Sequence, residues 1–343
     1  MSGRTLILGG TRFVGRCLLE RLVGLGCTVE VLNRGVTMPA ERLPVGVRHL
    51  AADRADHERV HELLAGREYD AVFDTSAYRP QDVAAALGAL ADTTGHYVLV
   101  STCVVYAHLW GPGPGHRDED PVPIGEGDDT VEAYFGDGDL VAHYAGAKRA
   151  CETVLLAQER IPATVLRPCG IYGRYDDRYR HDYFFDRIVA GRPVLVPDSH
   201  VGRRVHLTSV DGLTDACVRA ALRPGGTHLV LNIADRDVLG CGELARECAR
   251  AAGVEPDVLT YPSELAGGVI AAPRARFPFG DEPGFRLDCA RAGEVLGWTA
   301  PSFGVGTAAL YADHAKRRAA GTLAAPEFRF DDALLVRLAA DSR

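Results

Sequence analysis

Residues 6–22 read LILGGTRFVGRCLLERL, and this stretch decides the fold. An apolar run, Thr5–Leu8, leads into two glycines, after which apolar residues recur at the three- and four-residue spacing of a helix. Strand, glycine turn and helix in this order are typical of the first βαβ unit of a dinucleotide-binding fold. Such a turn lets backbone amides approach a pyrophosphate, and the helix N-terminus adds unpaired N–H groups and a positive dipole. The alternative is an ordinary buried turn between a strand and a helix.

The spacing of residues inside this turn predicts which of them contact the cofactor. The pattern is Gly9-x-x-Arg12-x-x-Gly15, so an arginine stands where the middle glycine of the usual motif is expected. Gly15 is expected to let the helix lie close to the strand. The cofactor-binding residues predicted here are Gly9, Thr11, Arg12, Phe13, Val14 and Gly15.

The composition limits the possible classes of protein. The chain has 343 residues, of which 47% are hydrophobic and 24% charged, so we expect roughly two domains or one domain with a lobe. A net charge of −8 argues against a general nucleic-acid binder. Nine cysteines lie without CxxC or Cys/His metal spacing, which predicts reduced thiols, no metal site and a cytoplasmic protein. We expect neither a signal peptide nor a membrane span, since no apolar run approaches ~18 residues.

Strands and helices alternate along the first half of the chain. After the first strand, further strands are expected at Thr28–Leu32, Val47–Ala51, Tyr69–Asp74, His96–Val100 and Ala163–Leu166. The alternation predicts an α/β fold with a doubly wound parallel sheet, a Rossmann fold, which binds ligands outside the carboxyl ends of its strands. Residues 107–138 are irregular in pattern and are expected to form a solvated surface loop, or alternatively a flap over the site.

The pattern beyond Pro168 is less regular and predicts a smaller C-terminal substrate lobe. A strand at His228–Ile233 is expected to rejoin the first sheet. We therefore assign residues 1–168 and about 204–235 to the Rossmann domain, and residues 169–203 and 236–325 to the substrate lobe. Helices are predicted near Asp182–Ala190, Val210–Leu222, Gly242–Ala252, Cys289–Leu296 and Val305–Arg318.

The end of the second strand bears on the choice of cofactor. An acidic residue at this place binds the ribose 2′-hydroxyl of NAD, but the sequence here is Asn33-Arg34-Gly35. Arg12 and Arg34 can instead face a 2′-phosphate, which favours NADP and leaves NAD possible. A solvated loop arginine is the alternative for Arg34. Asp53, after the third strand, either meets the adenine edge or caps the following helix.

Tyr144 and Lys148 carry the predicted chemistry. They lie one helical turn apart on the same face of a helix. A nearby ammonium stabilises phenolate, so the tyrosine can exchange a proton with a substrate hydroxyl while hydride moves to or from nicotinamide. Lys148 can also bind the nicotinamide ribose, and Thr102, at a strand end, supplies a hydroxyl for the same substrate oxygen. In isolation a Tyr-x-x-x-Lys pattern is common by chance. The prediction depends on the glycine turn, Thr102 at a strand end and this pattern occurring in the correct order along the chain.

The chain resembles the extended short-chain dehydrogenases/reductases of the sugar-nucleotide epimerase/dehydratase type. The matching segments are residues 9–15, 101–106 and 167–173, the pair Tyr144 and Lys148, and the late Leu296-Gly297-Trp298. The resemblance implies that Thr102 is the catalytic hydroxyl and that Arg204, seven residues before Asp211, contacts the nucleotide part of the substrate.

Two departures from the family pattern refine the expected function. Cys103 and Val104 stand where the 4,6-dehydratases carry Asp-Glu, so water elimination is disfavoured. The GGTRF turn and the Asn33-Arg34-Gly35 segment resemble a divergent branch that includes chloroplast stem-loop RNA-binding proteins. An RNA-binding or scaffold protein on the same fold is therefore the alternative function.

The sequence as a whole predicts an NAD(P)-dependent oxidoreductase or epimerase acting on a secondary alcohol or ketone. The expected substrate is a sugar nucleotide or a similar polar metabolite, bound by a homodimer that has no membrane partner. Nucleic acid is disfavoured as a ligand because acidic residues number 46 against 38 lysines and arginines.

Overall fold

The computed structural model describes residues 3–38, 40–109, 140–176, 178, 180–223, 225–267, 276–279 and 286–341. At its centre lies a parallel sheet of β1 (Arg4–Leu8), β2 (Thr28–Asn33), β3 (Arg48–Ala51), β4 (Ala71–Asp74), β5 (Tyr97–Val100), β6 (Ala163–Pro168) and β10 (Leu229–Ile233). The seven strands follow the order β10-β6-β5-β4-β1-β2-β3. The predicted return of the chain to this sheet is confirmed, because β10 pairs with β6 from Leu229 opposite Thr164 onward.

Helices cover both faces of the sheet, which confirms the doubly wound α/β fold. One core packs beneath α2 (His57–Leu64), α3 (Pro80–Leu90) and α4 (Leu140–Leu156), and the opposite core beneath α1 (Phe13–Gly24), α6 (Val210–Leu222) and α8 (Ala290–Leu296). Alternate residues of β1 serve the two cores: Leu6 and Leu8 face one, and Ile7 faces the other.

Two small sheets lie outside the central one. The first consists of β7 (Gly170–Tyr172), β9 (Arg204–Ser209) and β11 (Val238–Gly240), and the second pairs β8 (Val194–Pro197) with β12 (Val258–Tyr261). They pack with α5 (Arg180–Val189), α7 (Cys241–Ala252) and α9 (Phe303–Ala319) around an aromatic-rich core. The sequence analysis predicted these three helices but none of these strands. They do not alternate with helices as the strands of the central sheet do, since β7 follows β6 and β11 follows β10 with no helix between them.

The division into two lobes stays a prediction. Its boundary near residue 236 assigns Trp298 to the substrate lobe, yet the indole packs in the core of the central sheet and its Nε1 donates to the carbonyl of Gly212 at 3.0 Å. A last helix, α10 (Arg329–Asp341), lies beyond the predicted lobe and was not expected. It is fixed by a buried ion pair between Arg187 Nη2 and Asp331 Oδ1, 2.6 Å apart.

The described part of the chain contains no helix that is both long and apolar enough to span a membrane. The predicted loop at residues 107–138 lies mostly outside the described residues. Its first residues belong to a short 3₁₀ helix, Cys103–Leu109, directly after β5.

Candidate active site

A cavity of about 870 Å³ opens at the carboxyl edge of the central sheet. Its wall is built by segments that follow β1 to β6, as expected for a parallel α/β sheet. The structure brings eleven of the twelve residues predicted for the site to this one cavity. They are Gly9, Thr11, Arg12, Phe13, Val14, Gly15, Arg34, Asp53, Thr102, Tyr144 and Lys148.

The turn after β1 depends on its glycines. Gly9 and Gly10 have φ values of +111° and +86°, which side-chain-bearing residues rarely adopt. A Cβ at Gly15 would lie 2.7 Å from the Gly10 nitrogen, so this position has room for glycine only. Phe13, the first residue of α1, also has a positive φ of 29°. The turn and the first turn of α1 therefore form a cradle of the kind that fits a dinucleotide pyrophosphate.

Asn33 connects the end of β2 to this turn. Its Nδ2 donates to the carbonyl of Gly9 at 2.7 Å, and its Oδ1 accepts from the Gly35 amide at 2.8 Å. Arg34 is exposed, with its Nη1 3.8 Å from Asp53 Oδ2. Asp53 also accepts from the Ala55 amide, but the cap of α2 is Asp56, whose Oδ1 accepts from Arg59 N at 3.1 Å. The capping alternative for Asp53 is therefore wrong.

Lys148 is held in the cavity beside the segments that follow β4 and β5. Its side chain is 3% exposed, and Nζ donates to the carbonyls of Ala77 at 2.9 Å and Val100 at 2.8 Å. An ammonium has three N–H donors, so one remains for a further acceptor. Tyr144 lines the cavity one turn earlier on α4. Thr102 follows β5, and its Oγ1 accepts from Val104 N at 3.2 Å, which leaves the hydroxyl proton for another partner.

A buried polar network supports this end of the sheet from behind. Arg167 donates to Glu152 Oε2 at 2.6 Å and to the Tyr106 hydroxyl at 2.7 Å. Glu152 also accepts from Ser101, the residue before Thr102, and Tyr106 donates to Asn232 at 3.0 Å. Arg167, which begins the matching segment 167–173, therefore has a structural role, because it joins β6 to α4 and to the chain after β5.

The cavity is cationic although the chain is acidic. The described residues that line it include seven cationic side chains, Arg12, Arg34, Arg54, Arg79, Lys148, Arg178 and Arg180, and two acidic ones, Asp53 and Asp82. Some of these charges are compensated locally: Arg54 pairs with buried Asp74, Arg180 with Asp176 and Arg34 with Asp53. Such a distribution attracts anionic ligands into a chain whose net charge is −8.

Arg204, the predicted substrate contact, is not brought to this cavity. It begins β9, is exposed, and donates to the carbonyl of Val238 on the paired strand. Its Nη1 lies 3.5 Å from Glu243 Oε2. The guanidinium is thus engaged at the start of β9, the middle strand of its small sheet, and Arg204 is not among the described residues that line the cavity.

The sequence analysis did not single out several residues of the cavity wall. Tyr78, Arg79 and Arg54 follow β4 and β3 directly. Their position at strand ends was the only available signal, since they belong to no motif. Arg178 follows β7, a strand that the sequence pattern did not reveal.

Two cysteines line the cavity without offering a nucleophile. Burial and a hydrogen bond with Cys103 hold the pKa of the Cys169 thiol well above its ordinary value, so its thiolate is scarce at neutral pH. Among the described residues, no group of three or more His, Cys, Asp or Glu side chains is placed to hold a metal ion.

Comparison with known proteins places the chain among relatives. Residues 5–234 match the model of the NAD dependent epimerase/dehydratase family. The chain is 30% identical over 308 residues to chloroplast stem-loop binding protein of 41 kDa b from Arabidopsis thaliana, covering 86% of this chain and 74% of the relative.

Solved structures share the fold. A UDP-glucose 4-epimerase of Thermotoga maritima, solved with UDP-glucose, superposes with a TM-score of 0.69 at 19% identity over 92% of this chain and 99% of that one. The Bordetella bronchiseptica enzyme WbmG, solved with NAD, gives a TM-score of 0.69 at 18% identity over 92% of this chain and 95% of that one. Because the family model matches more than half of the chain, this chain belongs to the NAD dependent epimerase/dehydratase family.

Proposed function

We propose that this chain is an NAD(P)-dependent oxidoreductase or epimerase that acts on a secondary alcohol or ketone of a sugar nucleotide or similar polar metabolite. One observation carries the proposal: a buried lysine, Lys148, lies in the same cavity as Tyr144, Thr102 and the glycine turn. Among the described residues, no carboxylate lies within ion-pair distance of its Nζ. A buried ammonium without such a partner is costly, which is typical of functional sites.

The cradle fits a nicotinamide dinucleotide. The backbone of Gly9 to Gly15 and the N-terminus of α1 would hold the pyrophosphate. Gly15 lets α1 pack close to the turn, since any side chain there would collide with Gly10. When bound, the nicotinamide supplies the hydride acceptor or donor. Lys148 has one N–H donor left after Ala77 and Val100, and this donor would bind the nicotinamide ribose, while the charge of the ammonium acts on Tyr144.

Tyr144 and Thr102 handle the substrate oxygen in this proposal. The Lys148 charge stabilises the phenolate of Tyr144, which accepts the proton of a substrate hydroxyl during oxidation and returns it during reduction. Thr102 donates its hydroxyl proton to the same oxygen and fixes its position. A reductase exchanges its cofactor in each turnover, whereas an epimerase retains it and reduces the opposite face of the keto intermediate.

We propose NADP as the preferred cofactor, with NAD as the alternative. The end of β2 presents the amide of Asn33, already bonded to Gly9 and Gly35, where a carboxylate would bind a ribose 2′-hydroxyl. Arg12 and Arg34 lie on the cavity wall and can pair with a 2′-phosphate, Arg34 in competition with Asp53. The structural neighbour WbmG was solved with NAD, which supports NAD as the alternative. The preference for NADP is supported by Arg12 and Arg34 alone.

The cationic wall supports an anionic substrate. Arg79 and Arg178 lie on it beyond the glycine turn. The T. maritima neighbour was solved with UDP-glucose, which supports a nucleotide sugar as the first class to test. We therefore propose that Arg178, and not Arg204, contacts the anionic part of the substrate.

RNA binding is the second candidate, because the Arabidopsis relative is named as a stem-loop binding protein. A melting screen decides between them, with NADP(H), NAD(H), nucleotide sugars and a structured RNA as separate additions. Protection by a dinucleotide, increased by a nucleotide sugar, supports the enzyme. Protection by RNA alone contradicts it.

A further inference from the structure

Tyr78 contacts both members of the proposed catalytic pair. Its ring centroid lies 5.3 Å from Lys148 Nζ and 6.3 Å from the ring centroid of Tyr144, with an angle of 42° between the two rings. Tyr78 follows β4 at the carboxyl edge of the sheet, lines the cavity and is 40% exposed. A large aromatic side chain is thus open to the cavity on one side and in contact with the reactive groups on the other.

The segment Ala77-Tyr78 holds the Lys148 ammonium from two directions. The Ala77 carbonyl accepts a hydrogen bond from Nζ at 2.9 Å, and the Tyr78 ring presents its negative face to the same charge. Val100 supplies the other carbonyl. Among the described residues, no carboxylate lies within ion-pair distance of Nζ, so two carbonyl dipoles and one aromatic face stabilise this buried charge.

We propose that Tyr78 is a positioning residue that fixes the charge of Lys148 beside Tyr144, and that its aromatic face, not its hydroxyl, does so. This inference rests on the proposed function, since it assigns Tyr78 a role in the Tyr144–Lys148 pair. A shorter aliphatic side chain would open the space over Nζ to water. The ammonium would then be held less firmly, and the phenolate of Tyr144 would lose part of its stabilisation.

The two substitutions Tyr78→Phe and Tyr78→Leu separate the face from the hydroxyl. Phenylalanine keeps the aromatic face, while leucine removes it and fills part of the space. Both side chains suit a position that is 40% exposed, so the fold is expected to persist, which circular dichroism checks. The matched control is Tyr311→Leu, because Tyr311 is a half-buried tyrosine that packs against the aromatic-rich core outside the central sheet.

The measurement is the ionisation of Tyr144, followed by tyrosinate absorbance against pH. In each background the titration of the Tyr144→Phe partner is subtracted, which isolates this phenol without any substrate. We expect the ionisation midpoint to be unchanged in Tyr78→Phe and in Tyr311→Leu, and raised by about one pH unit in Tyr78→Leu.

A Lys148→Met variant makes the two possible failures distinguishable. If Lys148→Met raises the midpoint but Tyr78→Leu does not, Tyr78 has no positioning role and only this inference is overturned. If Lys148→Met leaves the midpoint unchanged, the catalytic pair itself is wrong and the inference fails with it. A midpoint that rises equally in Tyr78→Phe and Tyr78→Leu also overturns it, because the hydroxyl would then be the active part.

Discussion

Asn33 donates from its side-chain amide to the carbonyl of Gly9, 2.7 Å away. The bond joins the end of β2 to the turn that would hold the pyrophosphate, so the two parts of the cofactor cradle are fixed relative to each other. It also occupies the side chain that stands where a carboxylate would select NAD. In the function that we propose, the choice between NADP and NAD then depends on Arg12 and Arg34.

Arg34→Ala should reduce the preference for NADP over NAD. The arginine is exposed and 3.8 Å from Asp53, so its contribution to a 2′-phosphate is that of a partly solvated ion pair. We expect a loss of about tenfold in NADP affinity and little change for NAD, measured by calorimetry. Tighter binding of NAD than of NADP by the unmodified protein would refute the preference.

Tyr144→Phe should abolish turnover and leave dinucleotide binding nearly intact. The ring keeps its contact with Tyr78, whereas the proton acceptor is lost. A loss of at least about a hundredfold is expected for a general acid–base group. Oxidation or reduction is followed by NAD(P)H absorbance with the substrate that the melting screen reveals, and substantial residual turnover would rule out the assignment.

Gly15→Ala should abolish dinucleotide binding, because the new methyl group would lie 2.7 Å from the Gly10 nitrogen and would push α1 from the turn. Gly24→Ala on the same helix is the matched control, since its Cβ meets nothing within 4 Å. Replacing that helical glycine is expected to stabilise the protein by up to about 1 kcal/mol. Equal dinucleotide binding by both variants, measured by calorimetry, would contradict the cradle.

Arg178→Ala should weaken protection by a nucleotide sugar more than Arg204→Ala does. Arg178 lines the cavity, whereas Arg204 is engaged by Val238 and Glu243 at the start of β9. A melting assay with NADP present compares the two variants. A larger effect of Arg204 would restore the assignment made from the sequence alone.

His181 should make the protein less stable as the pH falls. The ring stacks on Tyr172 with centroids 4.6 Å apart, and neither ring nitrogen has a hydrogen-bond partner among the residues that the structure describes. Burial, with Arg180 nearby, lowers its pKa to about 3, so the folded state favours the neutral ring. The stabilisation is complete above the unfolded pKa of about 6.5 and is lost progressively as the pH falls from there toward 3.

His181→Phe removes this dependence in the same aromatic surroundings. At about 1.4 kcal/mol per pH unit, the wild-type protein should lose about 3 kcal/mol more than the variant between neutral pH and pH ~4. Denaturant unfolding at several pH values measures the difference, and His61→Phe at an exposed position of α2 is the control. Parallel pH profiles for the wild type and His181→Phe would show that His181 does not contribute.

The sequence predicted the central sheet correctly, and the structure brings most of the predicted site residues to one cavity, because the relevant signals are local. Long alternations of apolar strands and helices set β1 to β6, and parallel strands bring their carboxyl ends to one edge. The small sheets were missed because β7 follows β6, and β11 follows β10, without an intervening helix. The last helix, α10, was missed because it is held by a distant partner, Arg187. Arg204 was assigned from a motif that does not record what its guanidinium contacts.

By itself, the sequence determined the backbone of the cofactor turn and the register of the reactive pair. Positive φ values at Gly9 and Gly10 are a property of glycine, and four residues from Tyr144 to Lys148 make one helical turn in any helix. Only the tertiary structure decided what surrounds Lys148. The carbonyls of Ala77 and Val100 and the ring of Tyr78 come from the ends of β4 and β5, and the order of strands in the sheet, a long-range property, brings them to one ammonium.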